Sequence, residues 1–299
     1  MIDWPCAFGG PKATANYRAE PEHFQVDEIT ELTPTGDGDY LLLKVQKKNI
    51  DTAAVASELA KYYSVKPRAV SYAGRKDKQA VTTQWFSVQT NADWTNNASP
   101  DHAKFSIIAS ARHQHKLAIG GLTGNRFTIR CTDFQGSRSD TETILTQITR
   151  YGIPNYFGPQ RFGSKNQNLI RGKRMLAGEL RVREKNQRSM YLSACRSFLF
   201  NEILAEHIKR NSWQSGRGLL PGDGPIPIDG TGKEIIASVL LRHEALARGI
   251  ANSRVAWHER PLVVHADELS YCWDNGALVL SFSLPKGAFA TSLLRELLA

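Results

Sequence analysis

Apolar and polar residues along the chain follow two periods, which predicts a protein that mixes strands and helices. Alternation predicts strands at residues 24–29, 40–45, 85–88, 105–109, 127–131 and 277–284. Helical spacing predicts helices at residues 51–63, 141–150, 189–210, 235–248 and 291–298. Asp51 is the expected N-cap of the first helix, and Asp140 or Ser139 that of the second. The Gly- and Pro-rich stretch at 219–230 predicts a loop.

The composition fits a folded enzyme in a reducing compartment. With 299 residues, of which 41% are hydrophobic and 22% charged, the chain can bury one large core or two modest ones. No apolar run reaches the roughly 18 residues of a membrane span, and the start lacks the basic and apolar regions of a signal peptide. The scattered Cys6, Cys131, Cys195 and Cys272 argue against a zinc site or a disulfide framework, which suits the cytoplasm.

The net charge of +9 is concentrated in one segment and predicts a polyanionic partner. Residues 161–188 contain nine basic residues against two acidic ones, a net charge of +7. The segment is rich in Asn, Gln and Gly, so we expect it to be exposed and rich in loops. Such a surface is suited to binding nucleic acid phosphates. A solvated face that only aids solubility is the alternative.

One carboxylate, Asp77, lies among the cations Arg75, Lys76 and Lys78, between a predicted helix and a predicted strand. A carboxylate held among cations stays ionised, as a nucleophile or base acting on an anionic substrate must. Gly, Lys and Asp are also ordinary turn residues, so a solvated turn is the alternative for this motif taken alone.

Five segments, taken in order, carry a family resemblance. They are 21–28 (Pro-Glu-His-Phe-Gln-Val-Asp-Glu), 74–82 (Gly-Arg-Lys-Asp-Lys-Gln-Ala-Val-Thr), 124–128 (Gly-Asn-Arg-Phe-Thr), 153–163 (Ile-Pro-Asn-Tyr-Phe-Gly-Pro-Gln-Arg-Phe-Gly) and 284–297 (Leu-Pro-Lys-Gly-Ala-Phe-Ala-Thr-Ser-Leu-Leu-Arg-Glu-Leu). The chain strongly resembles the TruD family of tRNA pseudouridine synthases over about 15–210 and from about 270 to its end. Residues 212–262 show no matching motif and look shorter than in other members.

The resemblance implies isomerisation of uridine to pseudouridine in tRNA, at position 13 of the D arm, without cofactor or metal. The bond from C1′ to N1 is broken, the uracil turns in place, and a bond from C1′ to C5 forms. Asp77 matches the essential aspartate of the family. It acts either as a nucleophile or as the base that removes the 2′ proton, and the sequence leaves both routes open.

Four further residues match family positions near the target nucleotide. Phe24, Asn125 and Phe289 match positions that contact it, and Phe127 matches an aromatic residue close to the uracil. Each has a structural alternative. Phe24 and Phe127 fall in predicted strands, where core packing is usual. Asn125 follows a glycine, as a turn residue does, and Phe289 is placed to anchor the last helix.

Three arginines are candidates for supporting contacts. Arg18 lies where relatives carry Lys or Arg, and we expect it either to bind phosphate or to pair with Asp77. Arg161 is expected to reach the RNA backbone. Arg295 is a second candidate partner for Asp77, with a surface helix residue as the alternative.

The resemblance also implies an α/β (α+β) fold with two domains. Residues 1–152 and 263–299 would form the pseudouridine synthase catalytic domain, with a mixed, largely antiparallel sheet and flanking helices. Residues 153–262 would form an inserted, smaller α/β TRUD domain that binds RNA. We expect a cytoplasmic monomer whose partner is tRNA, with no metal, cofactor or membrane contact.

Two other classes of protein stay open. One is an RNA-binding protein of the same fold without activity, although the intact motif around Asp77 argues against it. The other is a nuclease or a methyltransferase. A metal-dependent nuclease should show clustered carboxylates, and a methyltransferase a Gly-rich loop after its first strand; the sequence has neither feature.

Overall fold

The computed structural model describes residues 4–90, 100 and 102–299, so the first residues of the chain lie outside it. The chain divides into two compact units. The first, here called the sheet unit, comprises Thr14–Gly136 and Ala266–Gly287. The second, the helical unit, comprises the segment up to Ala13, Ser137–His265 and Ala288–Ala299.

The sheet unit is built on one mixed β-sheet. Its strands are β1 (Ala13–Asn16), β2 (Phe24–Ile29), β3 (Tyr40–Lys48), β4 (Val70–Tyr72), β5 (Val81–Gln89), β6 (Phe105–His113), β7 (Gly124–Gly136), β12 (Asp267–Asp274) and β13 (Ala277–Pro285). The order across the sheet is β12-β13-β7-β2-β5-β3-β6, with β1 beside β7 and β4 beside β5. Strands β2 and β5 run parallel, and the other neighbours along this order run antiparallel.

One helix, α1 (Thr52–Tyr62), covers part of one face of this sheet. Val55 and Leu59 lie one helical turn apart and are fully buried. They pack on the same-face residues of β3 and β5, which form a core of Leu41, Leu43, Val45, Phe86 and Val88. Burying each such side chain contributes about 2 kcal/mol, so this face fixes the register of β3.

The helical unit contains the other α-helices of the described chain and four short strands, which form two pairs. Its elements are α2 (Arg138–Tyr151), β8 (Ile153–Pro154), α3 (Gln167–Leu176), α4 (Lys185–Lys209), β9 (Arg217–Leu220), α5 (Gly230–Arg242), α6 (Glu244–Ala251), β10 (His258–Pro261), β11 (Val263–Val264) and α7 (Ala290–Leu297). Helix α4 is buried on several sides, as its residues Cys195, Leu199, Phe200, Ile203 and Leu204 show. It is therefore the centre of the core of this unit.

The predicted fold class is confirmed, and so are the longer elements. Three local predictions were wrong. The segment 161–188 is exposed as expected but is not rich in loops, because it contains α3 and the start of α4. Part of the predicted loop at 219–230 belongs to β9, which pairs with β10. The N-cap of α2 is Ser137, whose Oγ accepts a hydrogen bond from the backbone N–H of Asp140.

The compact units do not follow the predicted domain boundaries residue for residue. Helices α2 and α7 and the segment 4–13 lie in the helical unit, although the sequence prediction assigned them to the catalytic domain. Strands β12 and β13 complete the sheet unit from the far end of the chain. The division into a catalytic and an RNA-binding domain concerns function and stays a prediction.

Candidate active site

Asp77 lies in the loop at residues 73–80, which connects the antiparallel strands β4 and β5 and is here called the Asp77 loop. Backbone groups of this loop are held by one side chain from the covered face of the sheet and one from the start of α1. The Gln84 amide donates to the Gly74 carbonyl at 2.9 Å, and the Lys76 N–H donates to Thr52 Oγ1 at 3.0 Å. Thr52 Oγ1 in turn donates to Gln84 Oε1. The loop is therefore fixed by a network rather than left as a solvated turn.

The carboxylate of Asp77 forms an ion pair with Arg18. Arg18 Nη2 donates to Asp77 Oδ2 at 2.9 Å, and 32% of the Asp77 side chain is exposed. The guanidinium carbon of Arg18 also lies 4.1 Å from the centre of the Phe24 ring. Of the two contacts expected for Arg18, the structure contains the pairing with Asp77. The arrangement leaves a carboxylate that is oriented and still accessible to a substrate.

The cations beside Asp77 in the sequence have other partners in the structure. Lys76 Nζ lies 2.8 Å from Glu28 Oε2, and both side chains are almost fully buried. Lys78 Nζ is 4.0 Å from Asp51 at the surface. Lys76 and Lys78 thus pair with other carboxylates, and Asp77 forms an ion pair with Arg18, which is far away in the sequence.

Sequence reasoning missed Lys47, which contacts the backbone of Asp77. Its Nζ donates to the Asp77 carbonyl oxygen at 2.7 Å, and only 1% of the residue is exposed. Burial lowers the pKa of the Lys47 ammonium to about 8, although the negative charges of Asp77 and Asp51 oppose this shift. The sequence contains one signal for it. Lys47 lies two residues after Val45, so it falls in the same row of alternating β3 residues that packs under α1.

Phe24, Phe127 and Asn125 lie on one face of the sheet. Val26 pairs with Phe127 and Glu28 with Asn125 across β2 and β7, and residues directly opposite share a face. The rings of Phe24 and Phe127 meet edge to face at 6.2 Å. Both residues are largely buried, so each also packs in the core, as the structural alternative predicted.

Asn125 has an unused acceptor. Its Oδ1 is buried and has no hydrogen-bond partner among the described residues. A buried amide oxygen without a partner costs free energy unless a ligand or water supplies a donor. Asn125 follows Gly124 at the start of β7, where the structural alternative expected a turn residue. A residue at this position can also take part in substrate recognition.

The other site candidates lie in the helical unit. Phe289 is the N-cap residue of α7, and its ring centre is 6.1 Å from that of Phe157. The Arg161 guanidinium donates to Ser193 Oγ at 3.2 Å and lies 5.1 Å from the Phe157 ring. Burial lowers the pKa of Arg161, and its Nε has no hydrogen-bond partner among the described residues.

Arg295 holds the N-terminal segment in place. Its guanidinium donates to the carbonyl oxygens of Trp4 at 2.5 Å and Pro5 at 3.3 Å, and it lies 4.7 Å from the ring of Tyr156. These contacts give Arg295 a structural task inside the helical unit. Its predicted pairing with Asp77 stays a prediction.

The structure offers no ready metal site in the part of the chain it describes, since no three or more His, Cys, Asp or Glu side chains group there. Among the described residues no disulfide joins Cys6, Cys131, Cys195 or Cys272. No described helix is long and apolar enough to cross a membrane.

Comparison with known proteins decides the family. A family model described as tRNA pseudouridine synthase D (TruD) matches residues 8–183, more than half of the chain. The chain belongs to the TruD family. This confirms the resemblance inferred from the five sequence segments.

Two relatives described as tRNA pseudouridine synthase D align over nearly the whole chain. The tRNA pseudouridine synthase D of Cellvibrio japonicus is 36% identical over 314 residues, covering 100% of this chain and 93% of that protein. The tRNA pseudouridine synthase D of Pseudoalteromonas atlantica is 33% identical over 339 residues, covering 99% of this chain and 95% of that protein.

A solved structure supports the fold. The crystal structure of a protein described as a tRNA pseudouridine synthase D (TruD) from Methanosarcina mazei superimposes with a TM-score of 0.76. The superposition covers 99% of this chain and 95% of the Methanosarcina mazei chain, and the two sequences are 20% identical. At that identity the match establishes the TruD fold and nothing finer.

Proposed function

We propose that this TruD family member isomerises uridine to pseudouridine in tRNA, at position 13 of the D arm, with Asp77 as its catalytic residue. The observation that carries the proposal is the accessible carboxylate of Asp77, oriented by Arg18 at 2.9 Å in a loop that the sheet unit holds rigidly. The relatives named tRNA pseudouridine synthase D support the reaction type.

The reaction breaks the bond between C1′ and N1 of the uridine and makes one between C1′ and C5. The uracil turns between these two steps without leaving the site, the hydrogen on C5 is released as a proton, and N1 takes up a proton in its place. The atoms of substrate and product are the same, so the reaction consumes no co-substrate. Holding the detached base beside the sugar is therefore the main demand on the protein.

Asp77 meets this demand by one of two routes. As a nucleophile it adds to the substrate and is released again when the new bond to C5 has formed. As a base it removes the 2′ proton, so that a glycal forms and the proton is later returned. Both routes need an ionised carboxylate in a fixed orientation. The ion pair with Arg18 supplies that orientation.

A uridine in a folded tRNA must be turned out of its stack before it can react. Aromatic faces replace the lost stacking, and hydrogen bonds read the edge of the base. We assign Phe24, Phe127 and Phe289 to the aromatic contacts and Asn125 to the uracil edge. The buried, unpartnered Oδ1 of Asn125 is suited to accept a hydrogen bond from the N3–H of uracil.

Binding of the tRNA backbone is assigned to the basic residues of 161–188. Apart from Arg161, which is half-buried, all of them are exposed: Lys165, Arg171, Lys173, Arg174, Arg181, Arg183, Lys185 and Arg188. Arg174 is 3.7 Å from Glu179, so part of the charge is balanced locally. The proposal includes action as a cytoplasmic monomer, without metal or cofactor, with residues 153–262 serving RNA binding.

The experiment uses tRNA transcripts labelled with tritium at C5 of uridine. Formation of pseudouridine frees the label, so we expect the wild-type protein to release one equivalent per transcript, with and without a chelator. A transcript with cytidine at position 13 should release none. Release from that transcript at the wild-type level would contradict the assignment of position 13. No release from any cellular tRNA would contradict the synthase function itself.

A further inference from the structure

A lysine occupies the end of a buried apolar row under the Asp77 loop. Leu43, Val45 and Lys47 point to the same face of β3, because side chains alternate along a strand. Leu43 and Val45 pack against α1, and Lys47 is as deeply buried as they are, with 1% exposed. An apolar residue at position 47 would continue the core of the sheet unit.

Lys47 reaches the catalytic residue of the proposed reaction. Its Nζ donates to the carbonyl oxygen of Asp77 at 2.7 Å, while Arg18 Nη2 bonds to the carboxylate of the same residue at 2.9 Å. Asp77 is therefore held by one cation at its backbone and by another at its side chain. Loss of either contact frees one end of the residue that must be oriented.

The neighbourhood of Lys47 is unfavourable for stability, because a buried charge lies beside an unsatisfied polar group. Thr82 lies directly opposite Lys47 on β5 and is fully buried, and its Oγ1 has no hydrogen-bond partner among the described residues. Buried charge and buried unpaired polar atoms both cost free energy. Places where a sequence breaks the packing rules in this way are expected at functional sites.

We propose that Lys47 is a positioning residue of the active site, which fixes the backbone of Asp77 so that its carboxylate keeps the orientation shared with Arg18. The proposal deepens the synthase function and rests on it. Lys47 itself does not touch the uridine. It acts through Asp77 by a hydrogen bond to the carbonyl and by the attraction between the ammonium and the carboxylate.

The charges around Lys47 are both attractive and repulsive. The carboxylates of Asp77 and Asp51 attract its ammonium, and the ammonium of Lys76 repels it. Lys76 is itself paired with Glu28, and Asp77 with Arg18. With a lowered pKa of about 8, Lys47 loses its charge as the pH rises through that value but keeps N–H donors. The catalytic rate should therefore fall across this range.

The test compares Lys47→Met with Lys48→Met. Methionine is an unbranched side chain only one atom shorter than lysine, and it removes both the charge and the donor. Lys48 is the next residue of β3, half-exposed, and pairs with Glu22 at the surface. Tritium release under single-turnover conditions gives the rate of the chemical step, and filter binding gives tRNA affinity. Thermal unfolding checks the fold of each variant.

We expect Lys47→Met to lose at least about tenfold in single-turnover rate with little change in tRNA affinity, since a small misplacement of a reacting group can cost about a hundredfold. Lys48→Met should keep the wild-type rate. The wild-type rate should fall as the pH rises through about 8, and this fall should be absent from Lys47→Met. If Lys47→Met does not fold, Lys47→Gln takes its place, because it keeps an N–H donor without the charge.

Two results would overturn the proposal while leaving the synthase function intact. One is a folded Lys47→Met or Lys47→Gln protein whose rate and pH profile match those of the active wild type. The other is a Lys48→Met protein that loses as much rate as Lys47→Met, since Lys48 does not contact Asp77. A wild-type protein that releases no tritium overturns the synthase function, and the role of Lys47 falls with it.

Discussion

Arg18 lies between the carboxylate of Asp77 and the ring of Phe24, with Nη2 2.9 Å from Asp77 Oδ2 and the guanidinium carbon 4.1 Å from the ring centre. The cation–π contact with Phe24 helps to hold the guanidinium, and the hydrogen bond then orients the carboxylate. Arg18 and Phe24 are close in the sequence, but Asp77 lies 59 residues after Arg18, so the fold of the sheet unit brings Asp77 to them.

Substitution of Arg18 should reduce catalysis more than RNA binding. We expect Arg18→Met to lower kcat by about tenfold to a hundredfold, because the carboxylate of Asp77 loses the bond that orients it. Arg18→Lys should lose less, since it keeps a charge but not the planar guanidinium. Arg130→Met is the matched control, because Arg130 pairs with Asp274 on the exposed side of the same unit. Equal kcat values for Arg18→Met and wild type would contradict the role of this pair.

Breaking the buried ion pair below the Asp77 loop should destabilise the sheet unit. Glu28→Gln leaves Lys76 buried without its carboxylate, which typically costs about 3–5 kcal/mol. The surface pair of Lys78 and Asp51 is the control, and Lys78→Met should change stability by less than about 1 kcal/mol. Urea unfolding of the three proteins measures both effects. A loss below about 1 kcal/mol for Glu28→Gln would contradict the buried pairing.

The stability of the helical unit should depend on the charge of Glu296. Its carboxylate is fully buried and accepts hydrogen bonds from the N–H groups of Ala7 and Phe8. Burial raises its pKa, although the charge of Arg295 and these hydrogen bonds oppose the shift. The folded state therefore binds the proton more tightly than the unfolded state, and this contribution to stability is lost as the pH rises from about 4.5 through the folded pKa.

Glu296→Gln cannot ionise, so the variant should gain stability relative to wild type as the pH rises from about 4 to 7. Thermal unfolding of both proteins across this range gives the difference directly. A difference in stability that does not change with pH would show that the carboxyl group titrates normally in the folded protein.

Removing basic residues from 161–188 should weaken tRNA binding in a way that depends on salt. We expect the double substitution Arg181→Ala and Arg183→Ala to reduce the slope of log K against log salt by about 1.5, since each phosphate contact contributes about 0.7–0.9. The control is Lys61→Ala with Lys66→Ala, two exposed lysines of the sheet unit. An unchanged slope for the arginine pair would place tRNA binding elsewhere.

Long, strongly periodic elements could be predicted from the sequence. The first helix was predicted at 51–63 and spans Thr52–Tyr62, because its apolar residues recur at helical spacing and pack on β3. Helix α3 was missed for the opposite reason. Few of its residues are apolar, and only Leu169 and Gly172 are buried. Its close packing on α4 at Gly172 is tertiary and leaves no periodic signal.

Only those residues of the candidate site that belong to a sequence motif or a family position could be predicted. Asp77 follows from its local motif and the family resemblance, and Arg18 from the position where relatives carry a cation. The partners of Lys76 and Lys47 depend on how β2, β3 and the Asp77 loop meet, with separations of 48 and 30 residues along the chain. No local pattern encodes such contacts, although a lysine in the apolar row of β3 is a visible irregularity.

The most direct measurement is tritium release from C5-labelled tRNA by wild type, Asp77→Ala and Asp27→Ala, together with tRNA binding by each. Asp27 is an exposed carboxylate of β2 on the opposite face of the sheet from Phe24, so its removal is a matched control. We predict release by wild type and Asp27→Ala, and none by Asp77→Ala with binding retained. Release by Asp77→Ala at the wild-type rate would contradict the catalytic role of Asp77.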